Sequence, residues 1–322
     1  MDNLLLICTS LMLSAAAWAA DPAAGYPSRP IRIITGSPGS TSDLSARFIG
    51  QRFNESWGQP AVIDNRTGAG GTIGVEIVAK SAPNGHTLVI GHVGTHATAP
   101  SLYKNLPYDP IRDFIPISNL VNVAIALVVH PSIPATSLKD FIAYSQSKAG
   151  AVNYGSPGGG TSGDVTGQLF NLLTKARLHH IPYKGAGPAL LGVVSGETQA
   201  SFLSTATAAP QIRAGKLRAI AVIRKTRFPA MPEVPSAAES GYPDLDANAW
   251  FGLFAPAKTP KAIITKLNQE IVRVMALNET KELLLKQGAE AAANSPEEFA
   301  AYVKSEVVKW TRVVKESGAM TN

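Results

Sequence analysis

An α/β fold of two lobes facing each other across a ligand cleft is what this sequence predicts, on three observations. Strand and helix patterns alternate three times by residue 96, the order that lays down a parallel sheet with ligands at the carboxyl ends of its strands. Two loops more than a hundred residues apart, Gly36-Ser37-Pro38-Gly39-Ser40-Thr41-Ser42-Asp43 and Gly155-Ser156-Pro157-Gly158-Gly159-Gly160-Thr161-Ser162-Gly163-Asp164, are near-copies. The run Val123-Ala124-Ile125-Ala126-Leu127-Val128-Val129 is apolar without a break, as expected of a strand buried on both faces, and is placed as the crossing into the second lobe. At 322 residues the chain is long for one core and comfortable for two.

Each element has a local cause. Ile31-Arg32-Ile33-Ile34 reads as the first strand, and the Gly/Pro loop after it leads to a helical pattern from Leu44 through Phe48, Phe53 and Trp57 that stops at Gly58. Ser, Thr and Asp in that loop can accept hydrogen bonds from the unpaired first amides of the helix, with Asp43, and Asp164 in the second loop, read as N-caps. Amides left free there form a site for an anion such as a carboxylate or phosphate. Ala61-Val62-Ile63 is a second strand, followed by a Gly-rich turn over 65–74 and a helix through Val75, Val78 and Ala79. Thr87-Leu88-Val89-Ile90-Gly91 is a third strand, ending at His92-Val93-Gly94-Thr95-His96. Ser137-Leu138-Lys139-Asp140 has capping-box spacing for a helix closed by Gly150. Val152-Asn153-Tyr154, the second loop and a helix through Leu169, Phe170, Leu172 and Leu173 repeat the strand-loop-helix plan. Gln199–Leu203 and Leu217–Ile223 read as strands, the latter returning to lobe one. Ser295-Pro296-Glu297-Glu298 opens a last helix, with Phe299, Val303, Val307, Trp310 and Val314 at helical spacing, expected to pack on lobe one.

Residues 1–19 form an apolar segment of export-signal length ending in Ala17-Trp18-Ala19, although the segment before its apolar core holds Asp2 and no Lys or Arg. The lone cysteine, Cys8, falls inside it, so a processed chain has no disulfide, no thiol chemistry and no thiolate metal site. A formal charge of +6 suits a protein that handles anions. Its Lys and Arg residues are dispersed and not interleaved with aromatics, which speaks against nucleic acid.

Catalytic constellations are missing. There is no G-x-S-x-G elbow, P-loop or H-E-x-x-H pattern. Residues 158–163 spell G-x-G-x-x-G, but Ile181-Pro182-Tyr183-Lys184 stands where a dinucleotide site needs its acid. No cofactor and no metal is expected. His179 and His180 read as one solvent-facing and one core-facing residue; His92 and His96 either hydrogen-bond their loop or, for His96, contact a ligand at the strand end. The inventory is rich in amide and hydroxyl donors and poor in activated nucleophiles, as in a binding site.

A further set of motifs carries a resemblance. Tyr26-Pro27-x-Arg29-Pro30-Ile31-Arg32, Asn65-Arg66-x-Gly68-Ala69-Gly70-Gly71, Gly94-Thr95-His96, Pro107-Tyr108-Asp109-Pro110, Asn153-Tyr154-Gly155-Ser156, Pro182-Tyr183-Lys184-Gly185, Ala214-Gly215-Lys216-Leu217-Arg218 and Trp250-Phe251-Gly252-Leu253-Phe254-Ala255-Pro256 occur in this order. Together they resemble the Bug family, the periplasmic solute-binding receptors of tripartite tricarboxylate transporters. The resemblance implies a type II periplasmic-binding-protein fold closing on a small carboxylate, a periplasmic location, delivery to two integral-membrane transporter subunits, and a monomer. Lobe one is expected over 20–122 with 228–322, and lobe two over 123–227. The ligand-binding residues it implies are Ser37, Gly39, Ser40, Thr41, Ser42, Asp43, Thr95, His96, Ser156, Gly160, Thr161, Ser162, Asp164, Ser204 and Thr205.

Four departures bear on the ligand: Thr35-Gly36 where the family usually has Pro-Phe, Gly39-Ser40 in place of its Gly-Gly pair, Asp164 where it often has His, and Leu203-Ser204 where many members have Asp-Asn. They imply a carboxylate without an α-amine and with an apolar or aromatic body. Two alternatives stand beside it: a ligand-sensing co-receptor, which needs the same clamshell, and a hydrolase or isomerase of carboxylic acids, which needs an activated nucleophile or acid/base pair that the sequence does not show.

Overall fold

A computed structural model describes residues 23–318 other than Ala149; the export segment expected at 1–19 lies outside the described residues. The elements run β1 (Ile31–Thr35), α1 (Thr41–Trp57), β2 (Ala61–Asn65), α2 (Thr72–Ala79), β3 (Thr87–His92), α3 (Ala99–Leu102), β4 (Phe114–Val129), α4 (Leu138–Ser147), β5 (Asn153–Ser156) and α5 (Ser162–Thr174). They continue with β6 (His179–Pro182), α6 (Ala186–Val194), β7 (Ala200–Ser204), α7 (Thr205–Arg213), β8 (Arg218–Val222), β9 (Asn248–Pro256), α8 (Lys261–Ala276), α9 (Asn278–Lys286), β10 (Glu290–Ala291) and α10 (Pro296–Ser317). A wide π-helical turn, Val93–Thr98, joins β3 to α3.

The strands form one sheet in the order β2-β1-β3-β9-β4-β7-β5-β6, with β8 and β10 also paired to β4. The parallel arrangement expected from the first 96 residues holds for β1 with β2 and β3, and again for β5 with β6 and β7. Across the whole sheet it does not: β9 enters antiparallel between β3 and β4. The sheet is therefore mixed, because the Trp250–Pro256 run inserts as a central strand contributed from late in the chain.

Strand β4 carries the architecture. Its first part, Phe114–Ala124, pairs with β9, and its last part, Ile125–Val129, pairs with β7, so one strand belongs to both halves of the sheet. Sequence periodicity exposes only 123–129. The earlier part contains Ser118, Asn119 and Asn122, and the register shifts between Pro116 and Ser118 and between Asn119 and Val121. Two of those polar groups find partners: Asn119 Nδ2 donates to Asn122 Oδ1 at 2.8 Å, and Ser118 Oγ donates to the distant Asn294 carbonyl at 3.0 Å. The apolar part alternates as a strand must. Ile125, Leu127 and Val129 join the large core that runs through both halves, and Ala124, Ala126 and Val128 join a smaller cluster with Val193, Leu203, Phe228 and Met231 on the opposite face.

Helix α10 was expected on the first half alone, yet it lies against β4, α3, the π turn and also α5 of the second half. Its anchor is Glu306, a buried carboxylate that accepts from the indole N–H of Trp250 at 3.1 Å and of Trp310 at 2.9 Å, both indoles being fully buried. Glu306→Ala leaves two buried donors without an acceptor and is expected to lower stability by about 2–4 kcal/mol, read as the shift in a urea unfolding midpoint.

Candidate functional site

Two loops of the same construction face each other at the carboxyl ends of β1 and β5. In the first, Ser40 caps α1 by accepting from the Asp43 amide, and Asp43 turns back to accept from the Gly39 amide at 2.9 Å. In the second, Thr161 is the cap position of α5, and Asp164 turns back to the Gly160 amide at 2.8 Å. Gly39 and Gly160 both adopt left-handed backbone, with φ of 75° and 76°, which a side chain there would strain. The acids therefore occupy the third helical position and are not the N-caps. Each fastens its own loop, which is tied further by the Ser40 amide donating to the Ser37 carbonyl and the Thr161 amide to the Gly158 carbonyl.

Both acids are bonded further by side chains of their own half. Burial works against the Asp43 charge, but hydrogen bonds from Arg47, Asn65 and the Gly39 amide hold its carboxyl below the usual range. Asn65 also donates to the Gly36 carbonyl at 2.7 Å, tying β2 to the first loop. Asp164 accepts from Gln168 Nε2 at 2.8 Å and lies 3.3 Å from His180 Nδ1, while the other His180 nitrogen is 2.7 Å from Ser156 Oγ. This Ser156-His180-Asp164 chain has the order of a nucleophilic relay, but Ser156 is fully buried and its Oγ already accepts from the Gly158 amide at 3.1 Å. It braces the loop. His180 stacks on Tyr154 at 4.9 Å; desolvation lowers its pKa, partly opposed by Asp164. His179 is exposed and His180 half-buried, as the sequence indicates.

Between the loops lies a cavity of about 630 Å³. Of the residues the sequence points to, Ser37, Ser40, Thr41, Ser42, Thr161, Ser162 and Ser204 line it. Gly39 lines an adjoining recess instead. Asp43, Thr95, His96, Ser156, Gly160, Asp164 and Thr205 are buried around it and do not line it. Thr95 Oγ1 accepts from the His92 amide at 3.1 Å, and Thr205 Oγ1 donates to the Gly288 carbonyl at 3.0 Å. The Gly160 carbonyl accepts from Thr98 Oγ1 at 2.8 Å, so the second loop touches the π turn across the cleft. Sequence reasoning leaves out the 66–71 turn, His92, Lys184, Thr207 and Phe251, all of which line the cavity. The Gly-rich composition of 65–74 and the strand-end position of His92 are the signals that could have found them. The floor is apolar: Ile125, Phe202, Leu203, Ala249 and Phe251. Among the described residues, no Asp or Glu lines the cavity.

Histidine 92, not His96, faces the ligand space. Its Nδ1 accepts from the Gly94 amide at 3.0 Å, so the hydrogen of the neutral ring sits on Nε2. Desolvation lowers its pKa to about 4, so the ring stays neutral at physiological pH. His96 is fully buried, stacked on Phe254 at 4.0 Å, with Thr95 Oγ1 2.9 Å from its Nδ1. Among the described residues, no cluster of three or more His, Cys, Asp or Glu is arranged to hold a metal ion, and no helix is long and apolar enough to cross a membrane.

Residues 45–319 match the model of the tripartite tricarboxylate transporter family receptor. The chain belongs to this family. BugT of Bordetella pertussis is 34% identical over 99% of this chain and 98% of its own length. A solved structure of Rpa4515 from R. palustris with adipate is 33% identical, with a TM-score of 0.87 over 91% of this chain and 98% of that one. MatC from Rhodopseudomonas palustris, with bound malate, is 34% identical, with a TM-score of 0.83 over 90% and 100%. The fold is accordingly that of the periplasmic binding proteins, with two α/β lobes around the cleft, and the family is one of receptors and not of enzymes.

Stability should follow the His96 ring. Desolvation, with a smaller contribution from His92, pushes its folded pKa down to about 3, whereas the unfolded ring titrates near 6.5. The unfolded state thus binds the extra proton first. Stability is complete above about pH 6.5 and declines as the pH falls from there toward 3. Urea midpoints measured from pH 7 to pH 4 should drop, and His96→Gln should show a shallower decline.

Proposed function

We propose that this receptor captures a small carboxylate lacking an α-amine and carrying an apolar body, closes two lobes over it, and delivers it in the periplasm to two integral-membrane transporter subunits. The observation that carries the reading is the lining of the cavity: helix starts and hydroxyls on two opposed loops, an apolar floor, and no acidic side chain. Carboxylate oxygens accept charge-assisted bonds from such amides and hydroxyls. The ligand-contact role is assigned to Ser37, Ser40, Thr41, Ser42, Thr161, Ser162 and Ser204, with His92 Nε2–H as a further donor. Adipate and malate, the acids named for two solved relatives, both lack an amine. We take lobe one as 20–122 with 228–322 and lobe two as 123–227, a division supported by the exchange of β4 partners next to residue 125. Residues 1–19 act as the export signal, and the receptor works as a monomer.

Closure is favoured only as far as the ligand contacts both lobes. Ser40→Ala and Thr161→Ala should each weaken carboxylate binding by about 1–2 kcal/mol, roughly 5- to 30-fold in calorimetry. Combined, they should depart from additivity by about 0.5 kcal/mol or more, as for groups acting on one ligand; independent effects would count against a shared site.

An α-ammonium buried here meets no carboxylate. Aspartate should therefore bind at least about a hundredfold more weakly than malate, and glutamate than glutarate, in parallel titrations. Tight aspartate or glutamate binding removes the amine-free assignment.

A further inference from the structure

Thr98, the last residue of the π turn, stands at a junction between the halves, and its side chain is fully buried. Its hydroxyl carries one hydrogen and has two carbonyls in good range: Gly160 of the second loop at 2.8 Å and Gly94 of its own turn at 3.0 Å. The Val93 carbonyl, at 3.4 Å, is a poorer acceptor. The Gly94 carbonyl also receives the Ala99 amide, so it keeps a donor when the hydroxyl turns away.

The fit around this contact is close. A side chain on Gly94 would stand 3.3 Å from the Gly160 oxygen, and one on Gly160 would stand 2.5 Å from Leu102 Cδ1. One on Gly70, in the 66–71 turn of the first half, would stand 3.5 Å from the Gly159 carbonyl. Three glycines thus let the tip of the second loop seat in a notch formed by the π turn, α3 and the 66–71 turn. The seated segment adjoins the ligand space: Gly159 and Thr161 line the cavity, and Gly160 lies between them. The bond from the Gly160 amide to Asp164 fixes this tip only within its own half. The Thr98 bond fixes it against the other half.

A donor with two acceptors makes a reversible clasp. When the halves meet, the hydroxyl bonds Gly160; when they part, it falls back on Gly94, and water takes the Gly160 carbonyl. Neither position leaves a buried donor unpaired, so opening does not carry the full cost of orphaning one. We propose that Thr98 is a positioning residue of the ligand site: its hydroxyl clasps the second loop to the π turn, and the strength of that bond sets how much of the unliganded receptor is already closed. This inference rests on the two-lobe closure of the proposed function and adds the chain's own contribution to it. Ligand and clasp then bias one equilibrium.

The test uses nitroxide labels on the mature receptor at Asn54→Cys and Lys216→Cys, exposed positions on opposite halves of a chain whose one cysteine is Cys8. Distance distributions are recorded without ligand and with malate, and malate affinity is measured by calorimetry. In unliganded Thr98→Val the closed-to-open ratio is expected to fall about threefold or more, as for loss of one hydrogen bond. The malate Kd is expected to rise in inverse proportion to the closed fraction. Thr98→Ser, which keeps the hydroxyl, is expected to restore both values, and Thr98→Ala, which cannot crowd its neighbours, to behave as Thr98→Val. An unchanged closed fraction in Thr98→Val and Thr98→Ala overturns the clasp, whether or not melting temperature falls, since Thr98 then serves packing alone. Weaker malate binding without a shift in the distances also overturns it. If malate fails to close the parent receptor while the Thr98→Val shift is present, the clasp stands and the carboxylate reading is overturned.

Discussion

The site depends on one hydrogen bond made twice: an aspartate at the third position of a helix pulled back onto the amide of a left-handed glycine four residues earlier. Gly39 with Asp43 and Gly160 with Asp164 are the two copies. The bond fixes the turn, and it also turns a negative charge away from the ligand space. Asp43 is then held by Arg47 and Asn65, Asp164 by Gln168 and His180. Without this arrangement the loops that offer amides to a carboxylate would present carboxylates of their own.

Facing loops need a frame that lets them approach and separate while remaining in register. Strand β4 supplies it by pairing with β9 along one part and with β7 along the other. Contacts between the halves cluster near the crossing and at the rim: Arg224 with Glu290 at 3.0 Å, Thr205 with the Gly288 carbonyl, Thr98 with the Gly160 carbonyl. Helix α10 adds a brace along one face, where Ser317 bonds Gln168 and Glu306 gathers Trp250 and Trp310. These polar contacts add to the hydrophobic core that runs through both halves, while the Glu306 anchor holds α10 to the first half.

Much of this was legible in the sequence because it is local. The duplicated loop announces a duplicated turn, and the capping residues, the terminal glycines and the amphipathic α10 all follow from short-range chemistry. What escaped is non-local. The antiparallel entry of β9 depends on pairing with strands far away in sequence, and the first part of β4 hides behind asparagines whose partners, such as Asn294, lie some way down the chain. The site shows the same division. Hydroxyls at helix starts were found. His92 makes the loop hydrogen bond expected of it and also lines the cavity, whereas His96, for which loop bonding and ligand contact were both open, is buried; which ring borders the cavity is decided by the π turn and by stacking on Phe254, neither of which leaves a pattern in sequence. Asp43 and Asp164 read as N-caps in the sequence, but they stand at the third helical position and accept from the Gly39 and Gly160 amides. An acid at that spacing can cap, contact a ligand or fold back, and only the geometry of the preceding glycine selects among them.

The division of labour within the cavity then limits what each part can discriminate. In the proposed reading, backbone amides and small hydroxyls recognise the planar, doubly accepting carboxylate, and they do so for any acid that presents one. Arg66 lines the cavity, but its guanidinium is engaged by Asp64 at 3.0 Å. The neutral His92 adds a donor without adding charge. With the anchoring step generic on that reading, selectivity is assigned to the parts that differ in size and polarity: Gly36, which carries no side chain beside Ser42, and the floor set by Leu203 and Phe251. On this proposal, changes there would alter which acid is held, whereas changes in the Gly/Asp turns would alter whether any acid is held. That separation lets one scaffold keep its carboxylate grip while the rest of the cavity is remodelled for a different ligand body.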